Sequence, residues 1–428
     1  MDKTDRIQEY IDKICEEIKW KSYRPAIRTE IQNHINDRID DLNENGITGD
    51  VALKQTLEEL GNPDMLGEQL NKVYQPEYNR SFIFVFYLFI LIISFVEYFS
   101  LLKVTGNYLT IFHSFFGILA GTGLAVVLFR TDWSDSGKRN RFASRMFTGL
   151  VLLCILLSIV RFSDRIYILN GVFLLFPILF CLFIGRMKDK KWIGLVLSVL
   201  LFSIPVLVSF YVHSYAGMLI LLISSWFILY FTLKNNWLQT GKKGLLYLII
   251  TIPYLGCMFY LANLKINQIL LNMKGFFVQE LIQTSILAGK GNSDLAGIHQ
   301  IVDYPITFLT ADYGYIMLII YIFFFSILLF EIKKVYARQQ SFQARLLTAT
   351  ILMDFIIEFI FSVLLNLGLP FVKGIAVPFL DFNFGIIIKI VQLGLVQMLD
   401  CFGNYIFNDY IPDKLFDIED GKIIIYYK

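Results

Sequence analysis

The sequence has few charged residues and none of the common nucleotide-binding or hydrolase motifs. Asp, Glu, Lys and Arg make up 17% of its 428 residues, whereas soluble globular domains carry about 25%. It contains no Walker A loop, no dinucleotide-binding glycine fingerprint, no HExxH helix and no GxSxG elbow. ATPase, dehydrogenase and metallohydrolase functions therefore have no support. No basic stripe is present either, so we expect no nucleic-acid partner.

Cysteine is also scarce, and the N-terminus lacks an apolar run. The five cysteines are odd in number and form no CxxC pair, so neither a disulfide framework nor a zinc site is expected. The chain opens with charged, helix-forming residues, a pattern that is not a signal peptide. We therefore expect the first segment to fold as part of the protein.

Apolar residues dominate what remains. They form 56% of the chain, and between residues 81 and 403 they make about ten stretches close to the ~20 residues that a bilayer-spanning helix needs. Hydrocarbon offers no partner to backbone polar groups, so these stretches must be helical. The sequence predicts an all-α, polytopic membrane protein. The predicted spans are 82–102, 109–130, 144–161, 166–185, 192–211, 214–233, 245–263, 307–330, 346–366 and 383–402.

Lys and Arg are concentrated in alternate loops. The loops after predicted spans 2, 4, 6 and 8 are basic, and the loops between them carry few cations. By the positive-inside rule, the basic loops lie in the cytoplasm. We therefore predict a multi-pass cell-membrane protein with both termini in the cytoplasm, including a short tail after the last span. The segments 264–306 and 367–382 are then outside, the first as a long loop.

Residues 1–80 differ from the rest of the chain in charge and pattern. Their 11 basic and 17 acidic residues give a net charge of −6, against +8 for residues 81–428. Isoleucines recur at helical spacing on either side of Pro25, which predicts a small cytoplasmic helical bundle. It resembles the short helical prefix modules that precede membrane segments in permease-like and signalling proteins. Glu30, His34 and Asp37 share one helix face, which we interpret as a solvated face rather than a metal site. We expect a cytoplasmic partner for this head.

The two predicted outside segments are not hydrophobic enough to be spans and are too long to be turns. The first reads GKGNS at 289–293, continues through Asp303 and ends with DYG at 312–314. The second begins at Asn366 and continues to Pro378 and Phe379. Loops of this length are functional or disordered more often than they are simple connections. We therefore expect the functional site on this side of the membrane.

The order and spacing of these elements resemble the SEDS family (FtsW/RodA/SpoVE; shape, elongation, division and sporulation). Family members have ten spans, both ends inside and a long outside loop between spans 7 and 8. They carry a G-x-G-(N-S) element, an acidic segment that Asp303 and 312–314 match, and an N-x-G…P-F stretch before the last span. The last stretch is matched by Asn366, Gly368, Gly374, Pro378 and Phe379.

The resemblance implies polymerisation of peptidoglycan glycan chains from lipid II, in cell shape, division or sporulation. The family's essential aspartate falls on Asp303, which would act as the catalytic base of a glycosyltransferase. Mg²⁺ or Mn²⁺ could offset the pyrophosphate charge, although no metal ligand is assigned. The implied partners are a lipid-linked disaccharide precursor and a class B penicillin-binding protein. The substrate-binding candidates are Lys290, Asn292, Asp312, Asn366 and Lys373.

Departures from the family pattern keep two alternatives open. The polar elements of spans 4 and 6 are missing, and Phe173, Leu174, Leu175 and Phe176 stand where polar residues belong. The chain could therefore be a catalytically degenerate scaffold or sensor of the same fold.

Charged residues inside the predicted spans favour the second alternative, a transporter (flippase) of lipid-linked precursor. Asp354 and Glu358 lie one turn apart in span 9, and Lys389 lies in span 10. Charges at membrane depth are costly and usually paired inside the protein. We predict that Glu358 faces Lys389, either in a cavity or as a structural ion pair.

Overall fold

A computed structural model describes most of the membrane body and nearly all of the head. It describes residues 3–105, 110–159, 165–241, 246–247, 251–252, 254–256, 286–289, 305–366, 378, 384–407, 416–419 and 422–425.

The head contains four helices: α1 (Lys3–Glu17), α2 (Arg24–Glu44), α3 (Asp50–Leu60) and α4 (Pro63–Val73). A short 3₁₀ turn, Lys21–Tyr23, links α1 to α2. The isoleucines of α1 and α2 are buried because their spacing keeps them on one face of each helix. On the head surface, the Arg38 guanidinium contacts both carboxylate oxygens of Glu59, at 2.7 and 3.0 Å, and these hydrogen bonds lower the pKa of Glu59.

In the described part of the membrane body there are eleven helices, which are α5 (Arg80–Thr105), α6 (Thr110–Arg130), α7 (Ser136–Ile159), α8 (Arg165–Phe173), α9 (Phe176–Gly185), α10 (Lys191–Tyr211), α11 (Tyr215–Lys234), α12 (Pro305–Tyr313), α13 (Tyr315–Arg338), α14 (Phe342–Asn366) and α15 (Phe384–Ile406). Within the described residues, seven helical stretches are long and apolar enough to cross a bilayer, and α5 and α6 are apolar as well. The protein is therefore a multi-pass membrane protein. The predicted span 245–263 lies mostly outside the described residues.

The structure corrects one sequence prediction. Predicted span 8 (307–330) is two helices, α12 and α13, because Gly314 breaks the helix with a φ of +83°. Predicted span 4 (166–185) is confirmed as the apolar stretch Ile168–Gly185, in which a short turn joins α8 to α9 and Pro177 lies in the first turn of α9. The described helices agree with the predicted all-α class, and the tail adds a small antiparallel hairpin of β1 (Phe416–Glu419) and β2 (Lys422–Ile425).

Helices α6 and α15 approach each other closely through small residues. A Cβ atom added at Gly394 would lie 2.5 Å from the Ala125 Cβ, and one added at Gly121 would lie 3.0 Å from the Ile390 Cβ. Small residues allow the backbones of membrane helices to come close and gain dispersion contacts. Helices α6 and α15 therefore form a closely packed pair.

The head packs against one end of the α6–α15 pair through aromatic side chains. The Trp20 ring lies 5.9 Å from Phe129 and 5.8 Å from Phe402. The Tyr23 ring lies 4.7 Å from that of Tyr405, and its hydroxyl donates to the Cys401 carbonyl at 3.2 Å. Burial in this contact raises the pKa of Tyr23 well above its usual value. The first and last parts of the chain are therefore joined at one end of the membrane body.

Candidate functional site

The predicted catalytic and substrate residues are divided between described and undescribed parts of the chain. Asp303, Lys290, Asn292 and Lys373 lie outside the described residues. Asp312, in α12, and Asn366, at the end of α14, are described, and both are buried. The structure therefore describes two of these six residues.

Asn366 connects the end of α14 to the beginning of α12. Its Oδ1 accepts hydrogen bonds from the backbone N–H of Thr307 at 2.9 Å and from the Thr307 hydroxyl at 2.8 Å. Its Nδ2 donates to the Ser362 carbonyl at 2.7 Å. The first turn of a helix has unpaired N–H groups, and a side-chain oxygen satisfies one of them. Asn366 thus fixes the helix that begins two residues after Asp303.

Residues 286–289, the described part of the first predicted outside segment, contact the junction between α12 and α13. The backbone N–H groups of Tyr315 and Ile316 donate to the carbonyls of residues 286 and 287, at 3.1 and 3.0 Å, and the N–H of Gly289 donates to the Tyr313 carbonyl at 3.1 Å. A Cβ at Gly314 would lie 2.7 Å from the Ala288 Cα. Gly289, the first residue of the GKGNS element, therefore contacts the DYG element, and glycine is required at position 314 because residues 287 and 288 lie against it.

Pro378, in the second predicted outside segment, is hydrogen-bonded to α13. Tyr321, which is almost fully buried, donates its hydroxyl to the Pro378 carbonyl at 3.0 Å. Tyrosine hydroxyl groups usually find a partner when buried, and this one binds Pro378, in the second predicted outside segment, to the membrane body. The sequence analysis did not single out Tyr321, because one tyrosine among 23 carries no positional signal.

Glu358 and Lys389 form the buried ion pair that the sequence predicted. The Lys389 Nζ lies 2.6 Å from the Glu358 Oε2, and the two side chains are 3% and 4% exposed. The ammonium group also lies 4.5 Å from the centre of the Phe355 ring and donates to the Gln392 Oε1 at 2.9 Å. All three donors of an ammonium group can be directed to partners in this arrangement.

Asp354 belongs to the same polar cluster without touching Lys389 directly. Its Oδ2 accepts from the Gln392 Nε2 at 3.3 Å, and its Oδ1 accepts from the Ser224 hydroxyl at 3.0 Å. The cluster therefore links α11, α14 and α15. Sequence reasoning missed Ser224 and Gln392, although a glutamine one turn after Lys389 in an apolar span was an available signal.

A second polar contact lies where the family pattern expects an acidic residue in span 6. Ser214 precedes α11, donates its hydroxyl to the Asn170 Oδ1, and accepts from the Gly217 N–H at 3.3 Å. Asn170 is buried in α8. These neutral groups satisfy one another, so this position carries no charge.

The predicted Mg²⁺ or Mn²⁺ stays a prediction. No group of three or more His, Cys, Asp or Glu side chains that could hold a metal ion occurs among the described residues, and Asp303 is not one of them. Glu30, His34 and Asp37 do not form such a group.

Comparison with known proteins identifies the fold. No protein-family model and no curated protein matches the sequence. A chain of a peptidoglycan synthase complex, whose structure concerns the coordination of polymerization and crosslinking, superposes with a TM-score of 0.58 and 15% identity, over 76% of this chain and 97% of that one. The rod-shape-determining protein RodA of Thermus thermophilus superposes with a TM-score of 0.52 and 14% identity, over 76% of this chain and 96% of that one. The resemblance to the SEDS family that the sequence predicted is thus confirmed at the level of fold, and the membrane body has the fold of RodA.

Proposed function

We propose that the protein polymerises peptidoglycan glycan chains from lipid II at the outer face of the membrane. The observation that carries the proposal is the fold, which superposes on nearly the full length of RodA and of a chain from a peptidoglycan synthase complex. The contacts at the two ends of α12 support it, because Asn366 fixes the beginning of this helix, two residues after Asp303 in the chain, and residues 286–289 contact its other end.

Asp303 is the proposed catalytic base. Its carboxylate takes the proton from a hydroxyl of the incoming lipid-linked disaccharide, and the hydroxyl oxygen forms the new bond to the anomeric carbon of the growing glycan. The bond from that carbon to the lipid pyrophosphate breaks, and the pyrophosphate leaves with the electron pair. General base catalysis of this kind contributes about 10²–10⁴-fold to a rate. Lys290 and Lys373, with Asn292 and Asp312, are the proposed substrate contacts. Asn366 is a positioning residue through Thr307.

The test is polymerisation of labelled lipid II by the purified full-length protein. Asp303→Ala should lower the rate by roughly 100-fold or more, because the base is lost. Asp294→Ala is the matched control, since it removes the same charge from the same predicted loop, and it should retain the rate. Equal rates for the wild type and Asp303→Ala would contradict the assignment of the base. Thermal unfolding of each variant checks that the fold is intact.

A transporter of lipid-linked precursor is the second candidate. The buried cluster of Asp354, Glu358 and Lys389 favours it, because transporters place ionisable groups near the middle of the membrane. Reconstituted vesicles that move a labelled lipid-linked precursor across the bilayer, without forming chains, would support the transporter over the polymerase. A protein that neither polymerises nor transports the precursor would be a scaffold or sensor of this fold.

Two partners complete the proposal. A class B penicillin-binding protein would crosslink the glycan chains, and the similarity to a chain of a peptidoglycan synthase complex, in which polymerization and crosslinking are coordinated, supports this choice. The acidic head, on the proposed cytoplasmic side, would present the faces that do not pack on the membrane body to a cytoplasmic partner. Co-purification of the full-length protein with each candidate, compared with a chain lacking residues 1–80, separates the two contacts.

A further inference from the structure

A cavity of about 750 Å³ lies where the head meets the membrane body. Its walls come from the turn between α1 and α2, from the beginning of α5, from the second half of α6 and from the middle of α15. Ligand cavities in proteins usually measure about 300–1,000 Å³. This cavity has the size of a ligand site, and none of its lining residues belongs to the predicted outside segments that carry the proposed polymerase site.

The inner wall of the cavity is apolar, and one of its lining side chains is exposed on the surface of an apolar helix. Phe82, Phe86 and Leu393 are buried and line the interior. Val126 also lines the cavity, yet it is 46% exposed on the surface of an apolar helix. An exposed apolar side chain on a membrane helix faces lipid tails, so an acyl chain could enter between α5 and α6 without crossing water.

Three cations surround the end of the cavity that is next to the head. Lys19 and Lys21 come from the head, and Arg130 ends α6. All three are exposed, and none has an ion-pair partner among the residues that the structure describes. The single acidic lining residue, Asp132, accepts hydrogen bonds from the backbone N–H and the hydroxyl of Ser134, at 3.0 and 2.6 Å. The rim therefore favours an anion.

Gln397 supplies a second, independent indication of a ligand. This residue lines the cavity and is 7% exposed. Its Nε2 donates to the Cys401 Sγ at 3.6 Å, but its buried Oε1 has no hydrogen-bond partner. A buried acceptor without a donor is uncommon and costs stability. A hydroxyl group of a ligand would satisfy it.

We propose that this cavity binds an anionic phosphoglyceride with a hydroxyl-bearing headgroup, taken from the leaflet next to the head. One acyl chain lies along Phe82 and Phe86, the phosphate faces the three cations, and a headgroup hydroxyl donates to the Gln397 amide. Basic pockets beside membrane helices recognise anionic headgroups in this way. Because Lys19 and Lys21 belong to the head and Arg130 to the body, the lipid joins the two parts. The proposal is independent of the polymerase function.

The test is native mass spectrometry of the full-length protein in detergent with equal amounts of phosphatidylglycerol and phosphatidylcholine. We expect one tightly retained phosphatidylglycerol, because phosphatidylcholine has no net charge for the cations. Equal retention of the two lipids would overturn the proposal. Glycerol phosphate is the third probe, and binding of it as tightly as the lipid would overturn the acyl-chain part, since the site would then be a phosphate site.

Variants of the rim test the charge. Replacement of Lys19, Lys21 and Arg130 together by Gln should weaken phosphatidylglycerol binding by roughly 100-fold, because each cation near an anionic headgroup contributes about a fivefold factor. The matched control makes the same change at three basic residues away from the cavity and should leave binding unchanged. The control residues are Lys13, Lys54 and Arg145. Equal losses in the two triple variants would show a surface-charge effect and would overturn the site.

Two further variants test the walls. Val126→Trp fills the cavity from its open side and should abolish retention of the lipid, whereas Val127→Trp, at a neighbouring exposed position that does not line the cavity, should not. Gln397→Met removes the unpaired acceptor and should weaken binding about fivefold. Retention of the lipid by Val126→Trp would place the lipid elsewhere. Unfolding temperatures measured without added lipid establish that each variant is folded.

Discussion

Lys389→Met is the most informative single change in the membrane body. The Lys389 Nζ lies 2.6 Å from the Glu358 Oε2, and both side chains are almost fully buried. At that distance, the Coulomb attraction is roughly 6 kcal/mol for an effective dielectric constant of 20. The removal of two charges from water cancels much of this attraction, so the net stabilisation by the pair is small. The loss of one partner is different, because it leaves the other charge buried and uncompensated.

A double-mutant cycle measures this difference. Lys389→Met alone should lower the free energy of unfolding by about 3–5 kcal/mol, and Glu358→Gln alone should lower it by a similar amount. The double variant should lose less than the sum of the single losses, with a coupling free energy of about 2 kcal/mol or more. The assay is reversible denaturation of the purified protein in detergent.

The control cycle uses a more exposed pair. The Lys13 Nζ and the Glu9 Oε1 are 3.1 Å apart, and the two side chains are 52% and 54% exposed. Their coupling should be below about 1 kcal/mol. If the losses of Lys389→Met and Glu358→Gln were additive within about 0.5 kcal/mol, the two groups would not interact and the reasoning would be wrong. Polymerase activity measured on the same variants separates a structural pair from a functional one, because a structural pair would change stability without changing the rate of the folded protein.

Three other changes test the remaining contacts. Asn366→Ala should lower the free energy of unfolding by about 1–3 kcal/mol and should lower the polymerisation rate. Thr307→Ala removes only the hydrogen bond from the hydroxyl and should cost less, so equal stabilities of the two variants in denaturation would contradict this contact. Gly314→Ala should destabilise the protein more than Gly289→Ala. Both residues have a positive φ, but only at Gly314 would the added Cβ lie 2.7 Å from a backbone atom, the Ala288 Cα. Thermal unfolding that ranks the two variants in the reverse order would refute the argument. Glu59→Gln should remove a pH dependence of head stability. The lowered pKa of the Glu59 carboxylate means that its ion pair with Arg38 stabilises the head above about pH 4.5, and that this stabilisation is lost as the pH falls further. A variant whose stability between pH 7 and 3 follows the wild-type profile would contradict this argument.

Much of the architecture follows from local pattern, and much of the candidate site does not. The spacing of Ile27, Ile31 and Ile35 predicts their burial on one helix face, and the structure confirms it. The facing of Glu358 and Lys389 was also predicted, because two charges at similar membrane depth in adjacent spans have few other partners. By contrast, span boundaries set by hydropathy alone missed the break at Gly314, since α12 and α13 are both apolar.

The sequence by itself determined the class of protein, the approximate spans, the basic end of the membrane body and the helical head, because each depends on composition and on periods of a few residues. Only the tertiary structure decided that Asn366 holds the first turn of α12 and that Ser224 and Gln392 connect Asp354 to the ion pair. It alone revealed the cavity beneath the head, whose walls come from residues more than 370 positions apart in the chain. Contacts of that kind depend on how helices pack in three dimensions, and no local pattern in a sequence records which distant side chains will meet.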